Sequence, residues 1–471
     1  MKKLKARLCV RGDQQEEGID FFETYSPVVA WSTIRLLLIL SILMELKTKQ
    51  VDYTLAFLHA PIEPGTFVEM PKGYEKEGFV FELKRNLYGL RQAPMNFFNH
   101  LKDQLERRGF ESTTNDPCLF INKNTGCMLL AYVDDCILFD KTDEGVDSLI
   151  DSLRNPKDKG LKKFILNVED DYAGFLGIDI RRNKNGTIEL IQIGLIDRIL
   201  KALDMDREDV NRRLEPASKE PLGKDENGPP RKESWSYPSL IGMMLYLASN
   251  SRPEIAFAVH QCARFNHCPR LCHEVAVKRI ARYLKGTRDK GFIMKPNKEL
   301  ELKMYADSDF AGLYNVEDKQ DPDGVKSRTG SLITLSGVPV TWSSKLQKEI
   351  ATSTMHAEYI ALSTTMRDLI PITNVLYEVC DSLKIKRSDE TKIVRVFEDN
   401  EGAMKLANSP LPRVTPNSKH FAVKYHWFRE RLDEFNIKIS RVETQLQKAD
   451  LFTKGLVGTE FRKKRELVLN W

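Results

Sequence analysis

Tyr132-Val133-Asp134-Asp135 constrains this chain more than any other stretch. Two adjacent carboxylates sit between two apolar runs, Met128-Leu129-Leu130-Ala131 and Cys136-Ile137-Leu138-Phe139. Four-residue apolar runs around a short polar break predict a β-hairpin. Facing solvent, the acids at its tip are an ordinary turn. Facing a cleft, they raise each other's pKa unless a cation neutralises them, and hard oxygen ligands of this kind suit Mg²⁺. A third acid, Asp52, lies near the end of the strand-like run Lys49-Gln50-Val51-Asp52-Tyr53, and Ala56-Phe57-Leu58 follows. If these strands lie side by side, Asp52 meets the hairpin tip. Three carboxylates converging in this way make a two-metal site for phosphoryl or nucleotidyl transfer. Between them, Asn86-Leu87-Tyr88-Gly89-Leu90-Arg91-Gln92-Ala93-Pro94 reads as a turn leading into a helix.

At 471 residues the chain is too long for one core and is expected to form two to four domains. Net charge is +5 with 30% charged residues, a mild basic excess. That balance accommodates a nucleic-acid groove without demanding one. The longest apolar run, Leu36 to Met44, stops at Glu45. It is too short to span a bilayer and reads as a buried helix capped by Ser32 or Thr33. No charged-then-apolar leader opens the sequence, so secretion is not expected. Eight scattered cysteines fit a reducing compartment. His260, Cys262, His267, Cys268, Cys272 and His273 fall within fourteen residues, at spacing irregular for tetrahedral zinc. Structural thiols and surface histidines are the simpler reading, with a zinc-stabilised interaction module as the alternative.

The motifs occur in a family's order. Lys5-Ala6-Arg7-Leu8, Thr24-Tyr25-Ser26-Pro27-Val28-Val29, Thr33-Ile34-Arg35-Leu36-Leu37, the Asp52 segment, Leu87 to Pro94 and Tyr132 to Asp135 resemble the reverse transcriptase of copia-type LTR retrotransposons. The resemblance continues through Phe175-Leu176-Gly177-Ile178, Ser251-Arg252-Pro253-Glu254 and Arg282-Tyr283-Leu284-Lys285-Gly286-Thr287, and covers nearly the whole chain. It implies an α/β (α+β) protein: right-hand polymerase fingers and palm, a helical thumb or connection, and an RNase H-like mixed-sheet domain. The expected divisions are fingers and palm at 1–155, the palm and primer-grip end at 156–205, a linker or mobile loop at 206–235, the helical part at 236–298 and the RNase H-like domain at 299–471. The Pro- and Gly-rich composition of 206–235 supports the linker, and Asn185-Gly186 predicts a hairpin turn. Copia-type enzymes have finger strands before the first motif, so the fingers are expected to be truncated here.

A second set of acids lies downstream. Leu302 to Asp307 reads as a strand ending on an acid, Gly330 to Leu335 and Val338 to Trp342 as two more, and Ser353 to Leu369 as a helix carrying His356-Ala357-Glu358-Tyr359. Val394 to Asn400 is a fourth strand, and Asp450 opens a closing helix. This order resembles RNase H, whose metal-binding carboxylates carry over to Asp307, Glu358, Asp399 and Asp450. Asp309 and Glu398 beside them are read as supporting or solvent-facing, and His420 and His426 as structural. His356 replaces the family's usual Glu, and Met95-Asn96-Phe97 and Thr453-Lys454-Gly455 depart from its pattern.

The resemblance implies RNA-directed DNA polymerase activity with RNase H cleavage of RNA–DNA hybrids. Two Mg²⁺ per site are expected, with Mn²⁺ as a substitute. Asp52, Asp134 and Asp135 would serve the polymerase, Phe57 would crowd the sugar 2′ position, Gln92 would contact the incoming nucleotide, and Arg7 or Lys5 its phosphates. Lys278, Arg279, Arg282 and Lys285 near one helix face, with Tyr283 among them, would track a phosphate backbone or form a solvated face. Expected partners are an RNA template, a DNA primer, the hybrid and dNTPs, with a homodimer or other element-encoded proteins, and no membrane. A cytoplasmic virus-like particle with access to the nucleus is the expected location. The competing function is an inactive remnant that only binds nucleic acid. The presence of all seven carboxylates favours the enzyme.

Overall fold

The computed structural model describes residues 7–169, 174–314, 322–385, 394–409 and 423–471. Lys5 and His420 lie outside the described residues. The chain divides into two compact units, one of residues 1–34, 44–172 and 375–385 and the other of 35–43, 173–374 and 386–471.

The apolar run forms helix α1, Trp31–Leu43, which starts ahead of both expected caps, so Ser32 and Thr33 lie inside its first turn. Its residues 36–40 are buried on every side, as a helix apolar all round requires.

The first unit is built on one antiparallel sheet. Its strands are β1 (Lys47–Tyr53), β4 (Phe110–Ser112), β5 (Leu119–Asn122), β6 (Met128–Tyr132), β7 (Asp135–Asp140) and β8 (Leu166–Glu169), while β2 (Phe67–Val68) and β3 (Phe81–Glu82) pair apart from it. The spatial order β4-β5-β6-β7-β1-β8 sets β1 between β7 and β8. Helices α2 (Ala93–Glu106) and α3 (Asp143–Arg154) supply Phe97, Leu101, Leu149 and Leu153 to a core shared with Val51, Tyr53, Cys136 and Leu138. Val51 and Tyr53 therefore face the core, and Gln50 and Asp52 take the other face, as the period of two dictates. Thr142 caps α3 by accepting from the Gly145 amide.

The second unit contains a three-stranded sheet, β9 (Asp179–Arg182), β10 (Ile188–Ile191) and β11 (Phe292–Met294), with the expected turn at Asn185-Gly186. Helix α4 (Ile193–Ala202) follows strand β10, and helices α5 (Tyr237–Asn250), α6 (Ala256–Ala263) and α7 (Leu271–Gly286) lie within residues 236–298. Residues 206–235 are irregular, but they are tied down: Leu222 and Gly223 carbonyls accept from Arg264 and contact His273, and Glu274 Oε2 accepts from the Lys232 and Glu233 amides. The segment, read from sequence as a linker or mobile loop, straps over α6 and α7.

A five-stranded mixed sheet follows, of β12 (Leu302–Asp309), β13 (Arg328–Leu335), β14 (Val338–Leu346), β15 (Val394–Glu398) and β16 (Ile437–Arg441), in the order β14-β13-β12-β15-β16. β12–β15 and β15–β16 are parallel and the rest antiparallel. Helices α8 (Thr354–Ser382), α9 (Glu401–Ala407) and α10 (Gly458–Leu469) accompany it. Two details correct the sequence reading. β16 adds a strand, and Asp450 sits in a 3₁₀ turn, Lys448–Phe452, ahead of the closing helix. Among the described residues no helix is long and apolar enough to cross a membrane.

Phe97 is 1% exposed and meets the Tyr53 ring edge-on at 5.6 Å. Phe97→Ala is expected to cost about 3–5 kcal/mol in urea unfolding, and a loss under about 1 kcal/mol would contradict this packing.

Candidate active sites

Asp52, Asp134 and Asp135 of the first unit are brought together by register. Asp52 of β1 stands opposite Asp135 of β7, and the Tyr53 amide donates to the Asp134 carbonyl at 2.9 Å. Cross-strand partners share a face, so the Asp52 and Asp135 side chains project from the same side of the sheet. Val133-Asp134 is the two-residue loop between β6 and β7. Val133 adopts φ 54°, a left-handed conformation that a β-branched residue rarely takes, so the tip is strained. Burial raises the Asp135 carboxyl to about 6, with repulsion from Asp134 and Asp52 adding to it and a hydrogen bond with Gln50 opposing it. Acids held this way favour a cation over three free charges.

Around this tip, Phe57 lies in a 3₁₀ turn with its ring 4.8 Å from Tyr88 and 6.3 Å from Phe97. Arg7 sits over the Tyr88 ring at 5.2 Å. The Tyr88 phenol is pushed up by burial and by the charges of Asp134 and Asp52, against Arg7. Gln92 is buried; its amide oxygen accepts from Gln15 and its nitrogen donates to the Asp20 carbonyl. Gly89 allows the neighbouring chain to pass: at φ 96° a Cβ there would meet the Val10 carbonyl oxygen at 2.0 Å. Sequence reasoning missed Tyr88 and Asn167, whose Nδ2 donates to Asp52 Oδ2 at 3.4 Å. Tyr88 was legible as part of the Leu87-Tyr88-Gly89 motif, whereas Asn167 carried no signal.

The second site is tighter. Oxygens of Asp307, Glu358 and Asp399 all lie within 4.8 Å of one another, the acid group that satisfies this distance among the described residues. Asp307 lies near the end of β12, two residues before its last, Glu358 projects from the first turns of α8, and Asp399 follows β15. Glu358 Oε2 is buried with no hydrogen-bond partner. Burial raises Glu358 to about 11, with Glu398, Asp307 and Asp399 adding repulsion. Burial also raises Asp307 to about 7, with Asp450 next, against a 2.5 Å hydrogen bond from Thr453. A partnerless carboxylate oxygen among clustered acids is the donor set a hard divalent cation needs.

Asp450 is held by Lys454 and the buried Lys464, each at 2.7 Å. Its turn packs so closely on β13 that a Cβ at Gly330 would lie 2.7 Å from the Ala449 carbonyl oxygen. Glu398 is fully buried, which removes the solvent-facing reading, and burial pushes its carboxyl well above the usual range. Asp309 is half-buried beside Asp307 on β12. Thr453 and Lys464 were missed; a lysine in an amphipathic helix gives no hint that it is buried. His356 Nδ1 accepts from the Thr352 amide, and Tyr359 bonds His426 Nδ1 at 2.9 Å.

Elsewhere the predicted groups are already engaged. Lys278 pairs with Glu233 and Glu274, Arg279 with Glu215, and Lys285 donates to the Arg207 carbonyl. Arg282 lines a recess that carries Asp204, Asp209 and Glu233 together with Arg207, Arg213 and Lys278. Tyr283 leaves that face altogether: it is buried and bonded to Glu254. In the Cys–His segment, the His273 ring nitrogens contact the Arg270 amide and the Gly223 carbonyl, and burial raises the Cys262 thiol to about 12. Neither is left as a ready zinc ligand. Phe175 and Ile178 exchange two backbone bonds across Leu176-Gly177, both at positive φ, in a tight turn.

Because the folded protein holds the Asp307 proton more tightly than the unfolded chain, this group's stabilisation is complete below about pH 4. It is lost as pH rises through about 7. In EDTA, Asp307→Asn is therefore expected to melt above wild type by a margin that widens from about pH 4 to 7. Added Mg²⁺ should raise the wild type more than the variant, since both keep the Asp52, Asp134 and Asp135 cluster. A margin independent of pH would contradict the burial of this acid.

Residues 1–217 match the family described as reverse transcriptase (RNA-dependent DNA polymerase). The chain is 32% identical to the Retrovirus-related Pol polyprotein from transposon TNT 1-94 of Nicotiana tabacum, over 99% of this chain and 34% of that protein. It is 30% identical to the corresponding polyprotein from transposon RE1 of Arabidopsis thaliana, over 98% of this chain and 30% of that one. With the Transposon TyH3 Gag-Pol polyprotein of Saccharomyces cerevisiae it shares 23% identity over 97% of this chain and 26% of the relative. The chain thus spans about a third or less of the length of these relatives. With residues 1–217 as its reverse transcriptase domain, the chain belongs to the copia-type Pol polyproteins of plant and yeast transposons.

Proposed function

We propose that this chain copies RNA into DNA by two-metal nucleotidyl transfer and cleaves the RNA strand of the resulting hybrid. The observation that carries the polymerase reading is the pairing of Asp52 with Asp135 beside Asp134. The nuclease reading rests on the clustered oxygens of Asp307, Glu358 and Asp399.

In the polymerase, Asp52 and Asp134 would hold Mg²⁺, with Asp135 completing the charge set. When bound, such ions lower the pKa of a primer 3′-hydroxyl and neutralise the triphosphate. The Phe57 ring, wedged between Tyr88 and Phe97, restricts the space for a ribose 2′-hydroxyl. Arg7, held on the Tyr88 ring, supplies positive charge for phosphates. Gln92 would orient the nucleotide through the segment it is bonded to. In the nuclease, Asp307, Glu358, Asp399 and Asp450 would hold the ions, and Lys464 keeps Asp450 oriented. The hybrid would be recognised by shape and 2′-hydroxyls. Template RNA, a DNA primer and dNTPs are the substrates on this reading. Assembly with other element-encoded proteins in a cytoplasmic particle is the setting it implies.

Mg²⁺-dependent extension of a DNA primer on RNA tests the reading, with Asp134→Asn expected to abolish it and Glu358→Gln to leave it intact. Hybrid cleavage should show the reverse pattern. Folded protein with neither activity would leave a binding-only remnant. Phe57→Ala is expected to raise ribonucleotide incorporation by roughly 10–200-fold, the range for one misfitted group in a pocket. An unchanged ratio of rNTP to dNTP use would make Phe57 a core aromatic only.

A further inference from the structure

A cleft of about 910 Å³ opens in the first unit, and its lining departs from the balance of the chain. Overall there are 72 Lys and Arg against 67 Asp and Glu. The cleft is lined by Lys84, Arg85, Arg107, Lys159, Lys162 and Lys163 against a single acid, Asp103. Arg107 is neutralised by Asp103 at 2.9 Å, and Lys84 by Glu82 outside the cleft. Arg85 donates to the His59 carbonyl and keeps its charge. Lys159, Lys162 and Lys163 carry no ion pair with any described residue.

This excess is built into the scaffold. Buried Gln104 of α2 accepts the Lys162 amide at 2.6 Å, and Arg108 donates to the Lys162 carbonyl at 3.1 Å. The lysine loop is thereby pinned to the end of α2 and to Arg108 just after it. Phe164, fully buried, packs against the rings of His59 and His100 at 5.3 and 5.6 Å and fixes both imidazoles in the lining. None of Asp52, Asp134, Asp135, Phe57 or Gln92 lines this cleft. Holding four uncompensated cations around one concavity costs repulsion that an anion with several linked charges would relieve. A run of phosphates fits that requirement, and the volume suits a few nucleotides better than one inorganic anion.

We propose that this cleft is a second phosphate-binding site of the polymerase unit, taking linked phosphates from the backbone of a single nucleic-acid strand. It stands apart from the chemistry at Asp52 and Asp134, because binding is read without catalysis. The test uses the full chain and a labelled single-stranded RNA of about 12 nucleotides, with fluorescence anisotropy across a salt series. In the triple variant Lys159→Ala/Lys162→Ala/Lys163→Ala, affinity is expected to fall roughly tenfold or more and the salt slope to flatten by about 2. These three side chains are exposed, so the fold should be unaffected. The variant Lys47→Ala/Lys102→Ala/Lys123→Ala removes the same charge elsewhere in the unit and should stay within about twofold of wild type. Inorganic tripolyphosphate should compete for the RNA in wild type and control. If tripolyphosphate binds with this dependence and RNA does not, the linked phosphates belong to a free polyphosphate and the strand is overturned as their source. Equal losses in both triple variants, or none in either, would overturn the site.

Discussion

The antiparallel register of β1 against β7 is the constraint on which the cluster of Asp52, Asp134 and Asp135 depends. It places Asp52 opposite Asp135, and it does so while Val51, Tyr53, Cys136 and Leu138 fill the core behind. A slip of one residue would send Asp52 into that core and Val51 out. Burial of Tyr53 against Phe97 and Phe164 therefore secures the acids as firmly as any contact among them. The tip is held against its own preferences, with Val133 at positive φ and Asp135 protonating more readily than a free carboxylate. Strain and repulsion of this kind persist where the surrounding packing over-determines them, and a bound cation would relieve the repulsion.

The cluster of Asp307, Glu358 and Asp399 solves the same problem with different geometry. Parallel pairing of β12 with β15 brings two strand ends to the same edge, and α8 delivers Glu358 beside them. Gly330 lets the turn carrying Asp450 approach where any side chain would hold it off. Asp307, Glu358 and Glu398 are more deeply buried than Asp52, Asp134 and Asp135, and burial is the leading cause of every raised carboxyl there. Two lysines attend Asp450, so the charge at this end is partly balanced by the protein itself.

Much of this was legible in the sequence because the acids sit at the ends of clear apolar runs. The hairpin around Asp134, the strand before Asp307 and the helix with Glu358 all follow from local pattern. What could not be read was tertiary. Glu398 alternates onto the buried face of β15, and β16 with its Ile437-Lys438-Ile439 alternation was passed over for want of a turn signal. The basic face of α7 looked like a nucleic-acid surface by spacing alone. Its neutralisers, Glu215 and Glu233, come from a strap more than forty residues away in sequence. Conversely, the lysines at 159–163 carry no signal in the sequence, because only the fold gathers them with Arg85 and Arg107 around one cleft.

Two separate acid clusters in one chain are the centre of this account, and Mn²⁺ titration followed by electron paramagnetic resonance tests that directly. Wild type should bind ions in two sets, with Asp134→Asn removing one, Glu358→Gln the other, and the double variant both. Loss of both sets through either single change, or retention of both in the double variant, would contradict it.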